Sequence, residues 1–165
     1  MVRVARVRRV PEHWLGLALV LVCSAACTRR IDVVGEAMAP TLKNGGSAIT
    51  APALGRLERG DIVGFKYPRD ASKSFVLRII GLPGERIGMT DGQVAVDGRR
   101  LDEKYVVEAN RLSDGRGPSD TWGPITIPAG EYFVMGDNRR NSFDSRSWGT
   151  VRRDLIWAKV LDAQK

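Results

Sequence analysis

Short apolar runs separated by turn residues are the feature that most restricts how this chain can fold. The clearest run is Gln93–Val96, which lies between Asp91-Gly92 and Asp97-Gly98. Asp-Gly pairs are typical of the tight turns of β-hairpins. Five further runs lie beside turn residues, at 62–65, 75–80, 125–127, 132–135 and 155–161. No helical period is sustained after residue 30, apart from a weak one at the C-terminal end. The pattern predicts a mainly β fold built from antiparallel sheets.

The predicted β fold occupies residues 31–165. A composition of 43% hydrophobic and 27% charged residues suits one domain that is long enough to bury a core. Residues 102–122 are polar and interrupted by Gly and Pro, as in a loop. We therefore expect a smaller β subdomain, at about 86–131, to be inserted in the main domain.

Residues 1–30 differ from the rest of the chain. Six arginines and one glutamate in this segment account for +5 of the formal net charge of +7. They flank residues 14–27, which carry no charged side chain and are shorter than the roughly 20 residues of a full membrane span. The segment is predicted to lie at the cytoplasmic membrane, with the basic end in the cytoplasm and the main domain outside it.

Three interpretations of this segment remain open. It fits a short uncleaved anchor whose flanking arginines reach the lipid headgroups. It also fits a lipoprotein signal with Cys27 as the lipidated residue, although Ser24 stands where Leu is usual. The third interpretation is a signal cleaved after the small residues 24–26.

Composition excludes several kinds of chemistry. Both cysteines, Cys23 and Cys27, and the single histidine, His13, lie in or before the apolar segment. The predicted domain therefore has no thiolate nucleophile, zinc-thiolate site or histidine base. We expect no cofactor and no metal. Because the positive charge is concentrated at the N-terminal end, we expect membrane lipid as a partner and no nucleic acid.

Four segments, in order, carry a family resemblance. They are residues 33–42 (VVGEAMAPTL), 59–63 (RGDIV), 78–85 (RIIGLPGE) and 136–146 (GDNRRNSFDSR). Together they resemble bacterial type I signal peptidases (leader peptidases), over about residues 33–160. The resemblance implies antiparallel sheets of the signal-peptidase type, and removal of signal peptides from secreted preproteins after small-x-small sites.

The resemblance also implies a serine–lysine dyad, and this chain has neither residue. The serine directly precedes the Met of the first motif, where this chain has Ala37 before Met38. The lysine directly precedes the Arg that opens the third segment, residues 78–85, where this chain has Leu77 before Arg78. Alanine offers no nucleophile and leucine no base, so we expect a protein without that dyad's activity.

Other residues that match the family's site are retained. Ser142 matches a serine that orients the lysine, and Asp144 and Arg146 match a structural ion pair. Gly35 matches a position on the oxyanion side, and Met38 follows the nucleophile position. The losses of serine and lysine fit each other, because a buried lysine without its serine would only carry a desolvation penalty.

Three functions follow from this pattern. The first is a non-catalytic family member that binds preprotein signal peptides or an active peptidase. The second is an active serine endopeptidase with a relocated dyad, for which Lys73, Lys43 and Lys66 are the lysines to consider. Lys73 lies about 13 Å from Leu77 if the strand is regular. The third is a structural envelope protein without peptide binding.

Overall fold

The computed structural model describes residues 28–107 and 121–164, which form mostly strands. The strands are β1 Arg29–Asp32, β2 Ser47–Pro52, β3 Ile62–Tyr67, β4 Asp70–Gly81, β5 Arg86–Thr90, β6 Gln93–Val96, β7 Arg99–Arg100, β8 Trp122–Thr126, β9 Glu131–Met135, β10 Val151–Arg152 and β11 Ile156–Gln164. A single α-helical turn, α1, spans Ser145–Trp148, and 3-10 turns lie at Arg139–Asn141 and Arg153–Leu155. The predicted mainly β fold is confirmed.

The larger sheet contains the candidate site. Its strand order is β1-β2-β11-β3-β4-β9-β10, and its paired strands are antiparallel. Strands β3 and β4 are neighbours in sequence and pair along most of β3, with Val63 opposite Leu77. Strand β9 joins β4 only at its C-terminal end, from Arg78 to Gly81. The first half of β4 therefore lacks a partner from β9.

The smaller sheet has the order β7-β6-β5-β8. Strands β5 and β6 form a hairpin closed by Asp91-Gly92, and Asp97-Gly98 leads from β6 to β7. Asp91 has φ 50° and Asp97 φ 49°, which is the left-handed backbone that such tight turns require. These Asp-Gly pairs place the hairpins where the sequence pattern predicts them.

Two buried apolar clusters stabilise the described part of the chain, and β4 and β9 contribute to both. Leu77 and Ile79 of β4 and Val134 of β9 belong to the cluster under the larger sheet. Ile80 and Phe133 belong to the cluster shared with the smaller sheet. Successive side chains of a strand face opposite sides, so these strands link the two clusters. Leu77 is thereby held in the core.

No helix within residues 28–107 and 121–164 is long and apolar enough to cross a membrane. The predicted anchor or signal segment, residues 14–27, lies outside the described residues.

Candidate functional site

A cleft of about 390 Å³ opens between two segments that are distant in sequence. One wall is formed by residues 32–38, which begin at the last residue of β1, and the other by residues 74–77 of β4. Leu42, together with Asn141 and Phe143 of the fourth segment (residues 136–146, the late motif), completes the lining. The cleft brings together Gly35, Ala37, Met38 and Leu77, which the sequence analysis singled out.

The backbone around Ala37 is held from both sides. Met38 is buried in the larger apolar cluster, and its carbonyl accepts a hydrogen bond from the Leu42 N–H at 2.9 Å. The Ala37 carbonyl accepts one from the Asn138 N–H, also at 2.9 Å. The first motif and the late motif are thus in direct contact at Ala37, while its methyl group borders the cleft.

Leu77 lies on the opposite wall and is 2% exposed. It belongs to the same buried cluster as Met38. Its apolar side chain needs no hydrogen-bond partner, which suits this environment. The chemistry that Ala37 and Leu77 bring to the cleft is therefore limited to apolar contact.

Ser142 lies behind the cleft and has an unusual environment. Its Oγ atom is buried and has no hydrogen-bond partner within residues 28–107 and 121–164. A β-carbon added at Gly136 would overlap with this hydroxyl and with the Ala37 carbonyl oxygen, so the three residues are in close contact. A buried hydroxyl without a partner costs about 1–3 kcal/mol in lost solvation. The site therefore keeps a polar group that nothing in the described residues uses.

Asp144 and Arg146 form a buried ion pair at the start of α1. Arg146 Nε donates to Asp144 Oδ1 and Nη2 donates to Oδ2, both at 2.8 Å. Asp144 also accepts from the backbone N–H groups of Arg146 and Gly136, at 3.2 and 3.1 Å. Arg146 Nη2 donates in addition to the Arg139 carbonyl. The pair therefore joins α1 to the backbone of Gly136, next to Ala37 and Ser142.

A second buried pair connects residues 33–42, 78–85 and 136–146. Arg78 donates through Nε and Nη2 to the two carboxylate oxygens of Asp137, which is 0% exposed. The Thr41 hydroxyl donates to Asp137 Oδ2 at 2.5 Å. Asp137 thus ties the first motif and the strand that carries Leu77 to the late motif.

A third buried pair was not anticipated from the sequence. Arg139 donates through Nη1 and Nη2 to the carboxylate of Glu103, and its Nε donates to the Gly136 carbonyl. Burial by itself lowers the pKa of Arg139, but the hydrogen bond and charge of Glu103, together with Tyr105 and Asp144, offset this effect and leave the pKa raised. The sequence indicates this pair only in part, because Glu103 lies in the polar stretch 102–122, which is predicted to be a loop.

Tyr105 links this pair to Arg78. Its ring lies under the Arg78 guanidinium, 4.1 Å from ring centroid to Cζ, and its hydroxyl donates to Glu103. Burial and the nearby Glu103 carboxylate raise the pKa of the Tyr105 hydroxyl. The charged groups behind the cleft therefore form one continuous network.

The lysines considered for a relocated dyad are exposed. Lys73 pairs with Asp70 at 3.1 Å, and its side chain is 64% exposed. Hydrogen bonds from Ser72 and Lys73 lower the pKa of Asp70. Lys43 and Lys66 are also exposed. Within residues 28–107 and 121–164, acidic, cysteine and histidine side chains form no cluster of three that could hold a metal ion.

The antiparallel fold brings the first motif and β4 together at one cleft, and comparison with known proteins identifies the family. The family described as "Signal peptidase, peptidase S26" matches residues 7–161. The chain belongs to this signal peptidase family, as its motifs indicated.

Individual relatives support the same family. A probable signal peptidase I-2 of Synechocystis is 39% identical over an alignment of 169 positions. The alignment covers 92% of this chain and 73% of the relative. Signal peptidase I S of Bacillus subtilis is 39% identical over 121 residues, covering 70% of this chain and 64% of the relative. The chain thus spans between 64% and 73% of the length of these two relatives.

A solved structure shares the fold. The crystal structure of a signal peptidase I from Enterococcus faecalis V583 superposes with a TM-score of 0.57 at 32% sequence identity. The match covers 67% of this chain and 100% of that chain.

Proposed function

We propose that this protein is a non-catalytic member of the signal peptidase I family that binds extended peptides with small-x-small sequences in the cleft beside Ala37. One observation carries the proposal: Ala37 and Leu77, at the positions expected for the nucleophile and the base, border the same cleft. A methyl group and an isobutyl group can neither attack a carbonyl nor take a proton. The cleft is present, and neither reactive group of the dyad borders it at these two positions.

The environment of Ser142 supports the loss of a former partner. Ser142 matches the residue that orients the lysine in the family, and its buried Oγ has no hydrogen-bond partner in the described part of the chain. Buried hydroxyl groups are ordinarily satisfied. An unsatisfied hydroxyl close to Ala37 is expected if a lysine amine has been replaced by leucine.

The pairing of β4 supports peptide binding. Residues 74–76 line the cleft, but β9 pairs with β4 only from Arg78 to Gly81. Among the described strands, none pairs with the edge of β4 next to the cleft over these residues. An extended peptide can add to such an edge through main-chain hydrogen bonds, with pockets selecting alternate side chains. The cleft's apolar lining by Ala37, Met38 and Leu77 suits small apolar side chains such as alanine.

The exposed lysines favour this proposal over a relocated dyad. A lysine that acts as a general base must lose its proton near neutral pH, which requires burial or a nearby positive charge. Lys73 is mostly exposed, and its nearest charged partner is the carboxylate of Asp70. Neither condition for a lysine base is met there.

The place of the protein in the cell is part of the proposal. The arginine-flanked apolar segment 14–27 would anchor the chain in the cytoplasmic membrane, or Cys27 would carry a lipid. The β domain would then lie outside the cytoplasm, where preprotein signal peptides and an active peptidase are accessible as partners.

Titration of the full chain in detergent micelles with a synthetic Ala-x-Ala peptide tests the binding function. The backbone NMR signals of residues 35–41 are expected to shift, and a peptide with both alanines replaced by lysine is the control. No shift at millimolar Ala-x-Ala peptide would contradict peptide binding and favour a purely structural role.

A further inference from the structure

The wall of the cleft formed by residues 33–35 is attached to a neighbouring turn by three hydrogen bonds. The Val33 N–H donates to the Gly46 carbonyl, and the Gly45 N–H donates to the Val33 carbonyl, both at 2.9 Å. The third bond differs in kind: the Gly35 N–H donates to the side-chain Oδ1 of Asn44 at 2.9 Å. The side-chain amide of Asn44 thus extends the pairing of β1 with β2 beyond its last backbone pair, in an irregular form.

Gly35 is the residue of this wall with the greatest conformational freedom. Its φ is +94°, in the region that residues with a side chain rarely adopt. A β-carbon there would meet no atom within 4 Å, so backbone conformation and not space explains the glycine. Because glycine has the largest conformational freedom of any residue, an external bond is needed to hold it in one conformation. In the described residues, Asn44 supplies the bond to its N–H.

The hydrogen bonds of Val33 and Gly35 determine which backbone groups of this wall are left free to face the cleft. Alternate N–H groups of an extended chain point to the same side, so those of Val33 and Gly35 face the turn and that of Val34 faces away from it. Val34 lines the cleft and its side chain is 91% exposed. Neither its N–H nor its carbonyl has a hydrogen-bond partner within the described residues.

We propose that Asn44 is a positioning residue of the peptide cleft. Its amide oxygen takes the place of a strand partner for Gly35 and so fixes the peptide groups of Val34 toward the cleft. A bound peptide then pairs with an edge that is already ordered, which lowers the entropy cost of binding. This inference rests on the proposed function, because it assigns the residue that preorganises the proposed peptide-binding edge.

Variants of Asn44 in the full chain test this role. Asn44→Ala removes the acceptor, whereas Asn44→Asp keeps an oxygen in its place. Lys43→Ala is the matched control, since Lys43 is an exposed neighbour in the same turn. The measurements are hydrogen exchange at the Gly35 amide, the thermal midpoint, and the affinity for the synthetic Ala-x-Ala peptide in detergent micelles.

Asn44→Ala is expected to speed exchange at Gly35 and to weaken peptide binding about three- to tenfold, the effect of one net hydrogen bond. Asn44→Asp should restore both values, Lys43→Ala should change neither, and the thermal midpoints should stay close together. Faster exchange with unchanged affinity would overturn the positioning role and leave the bond purely structural. Unchanged exchange would overturn it as well. If the unmodified chain binds no peptide, the proposed function fails and the role of Asn44 fails with it.

Discussion

The guanidinium of Arg78 donates two hydrogen bonds to the carboxylate of Asp137, one to each oxygen, at 2.8 and 2.6 Å. Arg78 directly follows Leu77, and Asp137 directly follows Gly136, which packs against Ala37 and Ser142. This one pair therefore fixes the two sides of the cleft relative to each other. The proposed site therefore has a buried polar support beside Ala37 and Leu77, whose own side chains are apolar.

Asp137→Ala should lower the free energy of unfolding by about 3–5 kcal/mol. The change leaves the Arg78 guanidinium without its partner in a buried place, and that penalty exceeds the loss of the pair itself. Denaturant unfolding of the full chain in micelles measures the effect. Asp154→Ala is the control, because the exposed Arg152–Asp154 pair should contribute only about 0–1 kcal/mol. Equal effects of the two changes would contradict the structural role of Asp137.

The pair of Asp144 and Arg146 should respond asymmetrically. Asp144→Ala removes the acceptor of the Gly136 N–H and the cap of α1 together with the ion pair. Arg146→Ala leaves Asp144 with two backbone donors. We expect Asp144→Ala to lower the thermal midpoint more than Arg146→Ala, with both changes clearly destabilising. Unchanged midpoints in both variants would show that the pair does not stabilise the fold.

Removal of the Ser142 hydroxyl should leave stability unchanged or raise it by up to about 1 kcal/mol, since a buried group without a partner is lost. Ser145→Ala is the matched control. The Ser145 Oγ accepts a hydrogen bond from the buried Val134 N–H at 3.0 Å, so its loss should cost about 1–3 kcal/mol. Unfolding of both variants is measured under the same conditions. A Ser142→Ala variant destabilised as much as Ser145→Ala would show that Ser142 has a partner.

Most of the larger strands could be predicted from the sequence, because apolar runs bounded by Gly, Pro and Asp carry a local signal. Strand β6 lies at Gln93–Val96 as the Asp-Gly pairs indicate, and β9 lies at Glu131–Met135 within one residue of its apolar run. Strand β2, Ser47–Pro52, was missed since its residues (SAITAP) neither alternate clearly nor form a strongly apolar run. Its place depends on long-range pairing with β1 and β11.

The site was predictable as a set of motifs but not as a network. The order of residues indicates which positions match the family's motifs. Ala37 and Leu77 are assigned to the nucleophile and base positions from this match alone. The Arg139–Glu103 pair and the bond from Gly35 to Asn44 join residues that no local period relates. Such contacts depend on how separate segments pack, and only the three-dimensional arrangement reveals them.

The proposed topology has a direct test. Protease added to intact spheroplasts should digest the β domain, because an arginine-rich start before an apolar segment favours a cytoplasmic N-terminus. A cytoplasmic protein in the same cells is the control for intactness. Protection of the domain while the control is also protected would contradict the extracytoplasmic location.

Preprotein cleavage by four forms of the full chain tests the central claim most directly. These are the unmodified protein, Ala37→Ser, Leu77→Lys, and the double variant Ala37→Ser plus Leu77→Lys. Nucleophile and base act as one unit, and loss of either in a serine hydrolase lowers the rate by about a millionfold. Each single change should therefore restore little, and Leu77→Lys alone should destabilise the fold by burying an amine.

The double variant places both groups at the cleft, with the Ser142 hydroxyl available to orient the lysine. We predict cleavage by the double variant only, with a rate that rises with pH as the lysine loses its proton. Cleavage by the unmodified protein, abolished by a single substitution elsewhere in the domain, would contradict the non-catalytic account and show that the chain carries a relocated dyad.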